Sequence, residues 1–309
     1  MKKYFWPLML AAAVLIGTAA GPWISIKVHH IRQERRWAEE RKAAWRDLGY
    51  RLKREIGRFR GRPGLVVKDL QTGWEYYYRK DRLFASASLS KLPIMAACFK
   101  AAEAGDIRLD QEVVLRSQDK LAGSGLLKDL PSGTPFTVER LVDLMISESD
   151  NTATNMLTSL MGIDRLNEEF KSFGLQKTLL SRRIADYRAR DRGLENYTNA
   201  SEMAMMLEAM HRRELVSRDV SDRCISTLKL TRANDRIPRY LPSDLTVAHK
   251  TGLENGICHD AGIIFTRNGD LLVAVLTEHD HALAGPSKEF IAKVSLAAYE
   301  YSDGLKRGD

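Results

Sequence analysis

The residues with the clearest chemical potential are a serine and a lysine three positions apart, Ser88 and Lys91, in the sequence Ser-Leu-Ser-Lys. Residues at this spacing share one face of a helix, so the hydroxyl and the amine can lie side by side. A lysine can accept the proton of a serine hydroxyl when burial or a neighbouring cation lowers its pKa. The pair therefore predicts a nucleophile and its base, at a helix N-terminus whose backbone amides favour an oxyanion.

This spacing is weak evidence by itself, because ordinary serine and lysine frequencies give about one such motif in roughly 300 residues. The alternative interpretation is a helix cap followed by a surface lysine. The chain contains a second copy, from Ser117 to Lys120, in a polar stretch with no apolar helix behind it. We interpret that second copy as a solvated loop.

Ser149-Asp150-Asn151, at the start of a predicted helical turn, supplies two further candidate catalytic residues. Ser149 can pass a proton to a leaving nitrogen, and Asn151 can orient Lys91 and hydrogen-bond a substrate amide.

Lys250-Thr251-Gly252 ends a predicted strand and forms a candidate substrate-binding motif. Lys250 and Thr251 can bind a substrate carboxylate while the ammonium polarises Ser149. Gly252 lets an extended substrate lie against the strand edge. Both tripeptides occur by chance in one chain with a probability of roughly one in a few hundred, so the three motifs together indicate one site.

The elements that would position these motifs follow from hydrophobic periodicity. A charged amphipathic helix is predicted over 31–59, and two strands, Leu65 to Leu70 and Trp74 to Tyr78, form a hairpin. We predict helices over 84–104, over Leu141 to Met161, across most of 164–230 apart from a loop between Ser181 and Asn199, and over Ser287 to Tyr301. Strands are predicted over Leu245 to Lys250, Gly262 to Arg267 and Leu271 to Glu278, with a turn at Asn268-Gly269. Strands near both termini that enclose a helical middle predict an α/β (α+β) domain, with one sheet flanked by helices plus an all-helical lobe.

The three motifs, in this order, resemble those of the penicillin-recognising serine enzymes, and specifically the class A β-lactamases, over roughly residues 60–300. The similar segments are Phe84 to Pro93, Gly123-Ser124-Gly125, Met145 to Leu157, Arg236-Ile237-Pro238, Leu241-Pro242 and His249 to Gly252. The resemblance implies an antiparallel sheet of the serine β-lactamase/transpeptidase type. It also implies an acyl-enzyme on Ser88 and an oxyanion hole made by the amides of Ser88 and Leu253.

The sequence departs from this family in the long loop, where class A enzymes carry a glutamate that activates the deacylating water. Ile184 stands at that position, and an isoleucine cannot accept a proton. Asp186 and Glu195 are the alternative bases, although each is also placed to form a loop-stabilising salt bridge with one of the neighbouring arginines. Either another acid replaces the glutamate or the acyl-enzyme hydrolyses slowly. Gly193 to Thr198 and His259 to Gly262 resemble a class A-like subgroup that lacks the loop glutamate.

The N-terminal residues 1–26 are predicted to be a signal anchor or a signal peptide, because Lys2 and Lys3 precede an apolar run from Tyr4 to Ile26. We favour an uncleaved anchor, since the run is longer than a usual signal-peptide core. We then expect a basic helical stem over 27–62, partly packed on the body, and the catalytic domain over 63–309. The chemistry predicts the extracytoplasmic face of the bacterial membrane, or a secreted protein if the N-terminus is cleaved.

The net charge of +8 is concentrated in the stem. Between Lys27 and Arg62 there are 13 Lys or Arg residues against 5 Asp or Glu residues, whereas residues 63–309 carry about −2. A nucleic-acid-binding protein would be expected to carry its excess positive charge on the folded body rather than on the stem. We therefore predict a membrane partner through the N-terminal helix and no nucleic acid.

No cofactor or metal is predicted. Cys98, Cys224 and Cys258 show no paired spacing, so we expect buried thiols and at most one disulfide. Glu278 to His281 has ligand residue types, but adjacent strand positions point to opposite faces. His249 and His259 are either walls of the site or packing residues.

Together with these residues, the resemblance implies a serine hydrolase of the class A β-lactamase type that opens a β-lactam, or a related acyl-D-amino-acid amide, through an ester on Ser88. Its expected partner is therefore a β-lactam or a small peptidoglycan-derived substrate, bound by a monomeric catalytic domain. A peptidoglycan DD-carboxypeptidase or amidase, and a non-hydrolytic cell-wall sensor, are the alternatives.

Overall fold

A five-stranded antiparallel sheet forms the centre of the protein. The computed structural model describes residues 33–280 and 284–305, so the predicted anchor over residues 1–26 lies outside the described residues. Its strands are β1 (Arg62–Asp69), β2 (Glu75–Tyr78), β7 (Val247–Glu254), β8 (Ile257–Ile264) and β9 (Leu271–Glu278). Across the sheet they lie in the order β2-β1-β9-β8-β7. Because β1 pairs with β9 along its whole length, the two ends of the chain share one sheet, as the sequence predicted.

Nine helices and four short strands surround the sheet within the described residues. The helices are α1 (33–58), α2 (Lys91–Glu103), α3 (Val138–Ser147), α4 (Asn151–Met161), α5 (Ile163–Ser172), α6 (Tyr187–Asp191), α7 (Ala200–His211), α8 (Arg218–Leu228) and α9 (Gly285–Asp303). The short strands are β3 (Phe84–Ala85), which pairs with β6 (Tyr197–Thr198), and β4 (Glu112–Val114), which pairs with β5 (Pro135–Thr137). No helix in 33–280 or 284–305 is long and apolar enough to cross a membrane.

The sheet separates two hydrophobic cores. Successive side chains of a strand point to opposite faces. On β1, Leu65 and Val67 accordingly pack with α1 and α9, while Val66 packs with the helical lobe that contains α2 and α7. The predicted layers are therefore confirmed, and α2 carries Lys91 on the face opposite α1.

Two predicted helices have different bounds, and both differences occur at the candidate site. The helix predicted from residue 84 begins at Lys91, because Phe84 and Ala85 pair with β6 and Ala87 has a positive φ of 44°. The helix predicted from Leu141 to Met161 is broken by Ser149, whose φ is 53°. Positive φ in a non-glycine residue costs of order 1–3 kcal/mol and occurs often at functional sites.

The third difference concerns β8, which begins at Ile257 rather than at Gly262. His259 and Asp260 lie in the missed part and obscured the apolar pattern, yet both are fully buried. The cysteine prediction is confirmed, since all three cysteines are buried and free.

Candidate active site

Ser88 lies on a short 3-10 turn, Ala87–Ser90, that connects β3 to α2. Residues three apart eclipse each other in a 3-10 turn, so the predicted shared face of Ser88 and Lys91 is retained although Ser88 precedes the α-helix. Ser88 is half-buried, and its hydroxyl has no hydrogen-bond partner among the described residues. The hydroxyl is therefore free to meet a ligand.

Lys91 is completely buried at the first position of α2. Its Nζ donates to Ser149 O at 2.5 Å and to Asn151 Oδ1 at 2.9 Å, and it lies 3.2 Å from Ser149 Oγ. Burial, reinforced by the nearby charge of Lys250, holds the pKa of Lys91 well below its usual range. Lys91 is thus better suited to accept a proton than an ordinary exposed lysine.

Lys250 approaches Ser149 from the sheet. It is fully buried on β7, and its Nζ donates to Ser149 Oγ and to Thr251 O, both at 3.0 Å. Burial, helped by the charge of Arg236, lowers the pKa of Lys250 to about 7, although Asp260 opposes the shift. Ser149 Oγ therefore lies between two lysine amines, which forms a hydrogen-bonded path for a proton.

Gly252 on β7 lies between His259 of β8 and Ala87 of the turn that carries Ser88. A Cβ on Gly252 would lie 3.4 Å from Ala87 Cβ and 3.3 Å from His259 Cβ. The distance to Ala87 is an ordinary van der Waals contact, whereas the distance to His259 is tight, so the glycine leaves room for the side chain opposite it on β8. The sequence also predicted that it leaves room for substrate. β7 is also an edge strand of the sheet, and Leu253, which belongs to β7, is 49% exposed.

Asp150 has a structural role that the sequence reasoning missed. Its buried carboxylate caps α4 by accepting from Ala153 N at 2.9 Å. It also accepts from Leu126 N at 2.6 Å and Leu127 N at 2.9 Å. A Cβ on Gly125 would lie 2.2 Å from Asp150 Cγ, so only glycine fits there. Asp150 thereby holds the segment 121–127 against Asn151. The sequence signal that could have indicated this role is the position of Asp150 between two polar site residues, Ser149 and Asn151.

The long loop is fixed to the site through α4. Asn155, one turn after Asn151, accepts from Ile184 N at 3.1 Å and donates to Ile184 O at 3.2 Å. The Ile184 side chain is 8% exposed. The structure therefore fixes Ile184, the residue that the class A resemblance aligns with the loop glutamate, beside α4.

Glu195 and Asp186, the two alternative bases, already have structural partners. Glu195 contacts Arg182 at 2.7 Å and Arg190 at 3.2 Å, which matches the salt-bridge alternative. Asp186 instead caps α6 by accepting from Ala189 N at 3.0 Å. Neither carboxylate forms a hydrogen bond to the candidate catalytic residues within the described chain.

Glu254 extends the salt bridge of the loop to the sheet. It lies 3.6 Å from both Arg182 and Arg190, so two glutamates and two arginines alternate in a ring. Glu254 follows Leu253 directly on β7. The ring, called here the loop clamp, therefore attaches the loop to the strand end beside the site.

His249 and His259, the two histidines predicted to be either walls of the site or packing residues, are packing residues with 2% and 0% of their surface exposed. His249 contacts Asp260 at 2.9 Å. His259 Nδ1 accepts from Thr277 N, so its Nε2 carries the proton and donates to Ala85 O at 2.9 Å. Burial lowers the pKa of His259 to about 4, and this neutral ring connects β8 to the segment before Ser88. Among the described residues, no group of three or more His, Cys, Asp or Glu side chains could hold a metal ion.

The fold and this arrangement of serine and lysine residues define a serine hydrolase. The chain belongs to the beta-lactamase enzyme family, whose model matches residues 47–302. It is a class A β-lactamase-like hydrolase with the serine β-lactamase/transpeptidase fold.

Three relatives illustrate the similarity. Beta-lactamase VEB-1 of Pseudomonas aeruginosa is 24% identical over 235 residues, which cover 72% of this chain and 79% of that protein. The crystal structure of a beta-lactamase from Sphaerobacter thermophilus is 33% identical with a TM-score of 0.74, covering 80% and 93% of the two chains. A leucine-to-glutamate variant of PBP-A, solved as an acyl-enzyme complex with penicillin G, is 26% identical with a TM-score of 0.76, covering 84% and 97%.

Proposed function

We propose that this protein opens a β-lactam, or a related acyl-D-amino-acid amide, through an ester on Ser88. The observation that carries the proposal is the chain of hydrogen bonds from Lys91 through Ser149 to Lys250. Both lysines are buried, and the pKa of each is lowered. Buried amines with lowered pKa values beside an unpaired hydroxyl suit nucleophilic catalysis.

In the acylation step, Ser88 Oγ attacks the substrate carbonyl carbon and Lys91 Nζ takes its proton. The amides of Ser88 and Leu253 stabilise the oxyanion. The C–N bond then breaks, and Ser149 Oγ gives its proton to the leaving nitrogen while it recovers one from the lysines. Lys250 and Thr251 hold the substrate carboxylate, and Asn151 orients both Lys91 and the substrate amide.

Release of the acyl group is proposed to be slow. Water must attack the ester carbonyl, and general-base assistance contributes about 10²–10⁴-fold to such a step. Ile184 cannot provide it, and the Glu195 carboxylate is engaged by Arg182 and Arg190. The acyl-enzyme is therefore expected to persist longer than in an enzyme with a loop glutamate.

The buried apolar side chain of Ile184 in the loop is the observation that favours the alternative functions. A DD-carboxypeptidase or amidase would release D-alanine from a muropeptide, using a base supplied by the substrate or by a lysine. A cell-wall sensor would keep the acyl group or bind it reversibly.

Acylation and deacylation rates measured separately with a chromogenic cephalosporin test the proposal. We expect a stoichiometric burst on Ser88 followed by slow turnover. D-alanine released from a muropeptide faster than the cephalosporin turns over would establish the carboxypeptidase. No burst and no product would contradict both hydrolytic functions.

The cellular site is also proposed from the sequence. Residues 4–26 would anchor the protein, with the catalytic domain monomeric and outside the cytoplasmic membrane. Recovery of the protein from the soluble periplasmic fraction, without its N-terminal apolar run, would contradict the anchor.

A further inference from the structure

One side of α1 is fixed against the body. Arg41 Nη2 donates to Asp69 Oδ2 at 2.6 Å, and Tyr301 Oη donates to the same oxygen at 2.6 Å. Arg41 and Asp69 are 2% and 0% exposed, and Leu48 and Leu52 lie fully in the core. Because a buried ion pair requires a fixed geometry, the opposite side of α1 points outward in a defined direction.

That opposite side is basic and surrounds an exposed aromatic ring. Its exposed basic residues are Lys42, Arg46, Lys53, Arg54 and Arg58, grouped around Tyr50, which is 75% exposed. These six residues are called the basic face. Between residues 42 and 58, Asp47 is the only exposed acidic side chain. Lys42, Arg46 and Lys53 form no ion pair with the described part of the chain, so their charge is available to an anionic partner.

The sequence before α1 indicates what that partner is. The apolar run ends at Ile26, and six residues precede the first described residue of α1, Gln33. Six residues span at most about 20 Å. Consequently, if residues 4–26 cross a bilayer, α1 begins close to the lipid headgroups.

We propose that the basic face of α1 lies on the anionic headgroups of the membrane in which residues 4–26 are anchored. The proposal rests on the proposed anchor. Juxtamembrane basic residues bind anionic lipid, and each strengthens binding by about fivefold near the surface. An exposed tyrosine suits the same interface, because its ring is apolar and its hydroxyl is polar.

This orientation determines which way the active site faces. α1 covers the side of the sheet that carries Leu65 and Val67, whereas α2 with Lys91 covers the other side. Packed layers are about 10 Å apart. The Ser88 turn would therefore lie about two layers from the lipid, and membrane contact would leave the site open to the cell wall.

The test uses the full chain in lipid nanodiscs, with a spin label at Tyr50→Cys. The three native cysteines are buried, so the introduced cysteine is the accessible one. We expect the label to be several-fold less accessible to a water-soluble relaxing agent in phosphatidylglycerol bilayers than in phosphatidylcholine bilayers. High salt should remove the difference, since it screens exposed charges.

A label at Tyr187→Cys, which is 57% exposed on the loop, is the positional control and should not respond to lipid charge. Lys42→Glu, Arg46→Glu and Lys53→Glu together should abolish the protection of Tyr50. The matched charge reversal at Arg183, Arg188 and Arg192 should leave it intact. Retained acylation of Ser88 by penicillin in detergent shows that each variant is folded.

Equal accessibility of Tyr50 in the two bilayers, with the protein retained in the nanodisc, overturns the docking and leaves the anchor standing. Equal loss of protection in both charge-reversal variants overturns it as well. Failure of the full chain to enter nanodiscs overturns the anchor together with the docking.

Discussion

Charged side chains occur both in the cluster around Ser88 and in the loop over residues 181–198, but their partners differ. Around Ser88, Lys91 and Lys250 have no carboxylate partner at hydrogen-bond distance among residues 33–280 and 284–305, and burial lowers the pKa of both. In the loop, Glu195 contacts Arg182 and Arg190 directly. The comparison teaches that burial lowers the lysine pKa values in the first region, as our proposal of proton transfer requires, whereas the charged groups of the second region pair with one another and serve structure.

Lys91→Ala should have the largest effect on this comparison. Removing the base should slow acylation by about 10²–10⁴-fold, the usual contribution of general-base catalysis. Stopped-flow kinetics with a chromogenic cephalosporin measures it. Lys120→Ala is the matched control, because Lys120 ends the second Ser-x-x-Lys motif and should change nothing. An equal effect of both substitutions would remove the distinction between the motifs.

Ile184→Glu should give the loop the function that it lacks. A carboxylate at this position, held beside α4 by Asn155, should accelerate deacylation by about 10²-fold through general-base assistance to water. Acylation should not change. Ile184→Gln is the control, since its amide has a similar size and cannot take the proton. Equal rates for the two variants would show that Ile184 does not occupy the position of the water-activating group.

The pH dependence of substrate capture should follow Lys250. Its pKa of about 7 means that raising the pH above 7 removes the charge that binds the substrate carboxylate. We expect kcat/KM for acylation to fall by about tenfold at pH 8 for a carboxylated β-lactam. Lys250→Arg should move the fall to higher pH, because a guanidinium stays protonated. A profile that is unchanged in Lys250→Arg would assign the titration to another group.

Glu254→Gln should produce the smallest effect, through the loop clamp. Loss of a half-buried ion pair of about 1 kcal/mol should slow acylation by about fivefold and accelerate hydrogen exchange over 181–198. Glu289→Gln is the matched control, since Glu289 also pairs with two basic residues, Arg239 and Lys293, away from the site. If the amide hydrogens of residues 181–198 exchange at the same rate in the two variants, the loop clamp does not hold the loop.

The site motifs could be predicted from sequence because each consists of adjacent residues whose chemistry depends on short spacing. Lys91, Ser149 and Lys250 come together as expected, Ser88 lies one turn before Lys91, and the hairpin between β1 and β2 follows from local turn signals. The layered fold could be predicted from hydrophobic periodicity, which is likewise a pattern among residues close together in the sequence.

Features that depend on distant partners could not be predicted in this way. The start of α2 is set by pairing of β3 with β6, which lies more than 100 residues away in sequence. The bonds from Asp150 to Leu126 and Leu127, and from Glu254 to the loop arginines, join residues that no local pattern relates. The positive φ of Ser149 is likewise imposed by packing, and it divides a stretch whose periodicity predicted one helix.

The most direct test of the account is the mass of the intact protein after exposure to penicillin G, followed by peptide mapping. The account predicts an increase by one penicillin molecule, because ring opening loses no atoms, located on Ser88. It also predicts no adduct on Ser88→Ala and an undiminished adduct on Ser117→Ala. An unmodified wild-type chain, or the same adduct on Ser88→Ala, would contradict the assignment of Ser88 as the nucleophile.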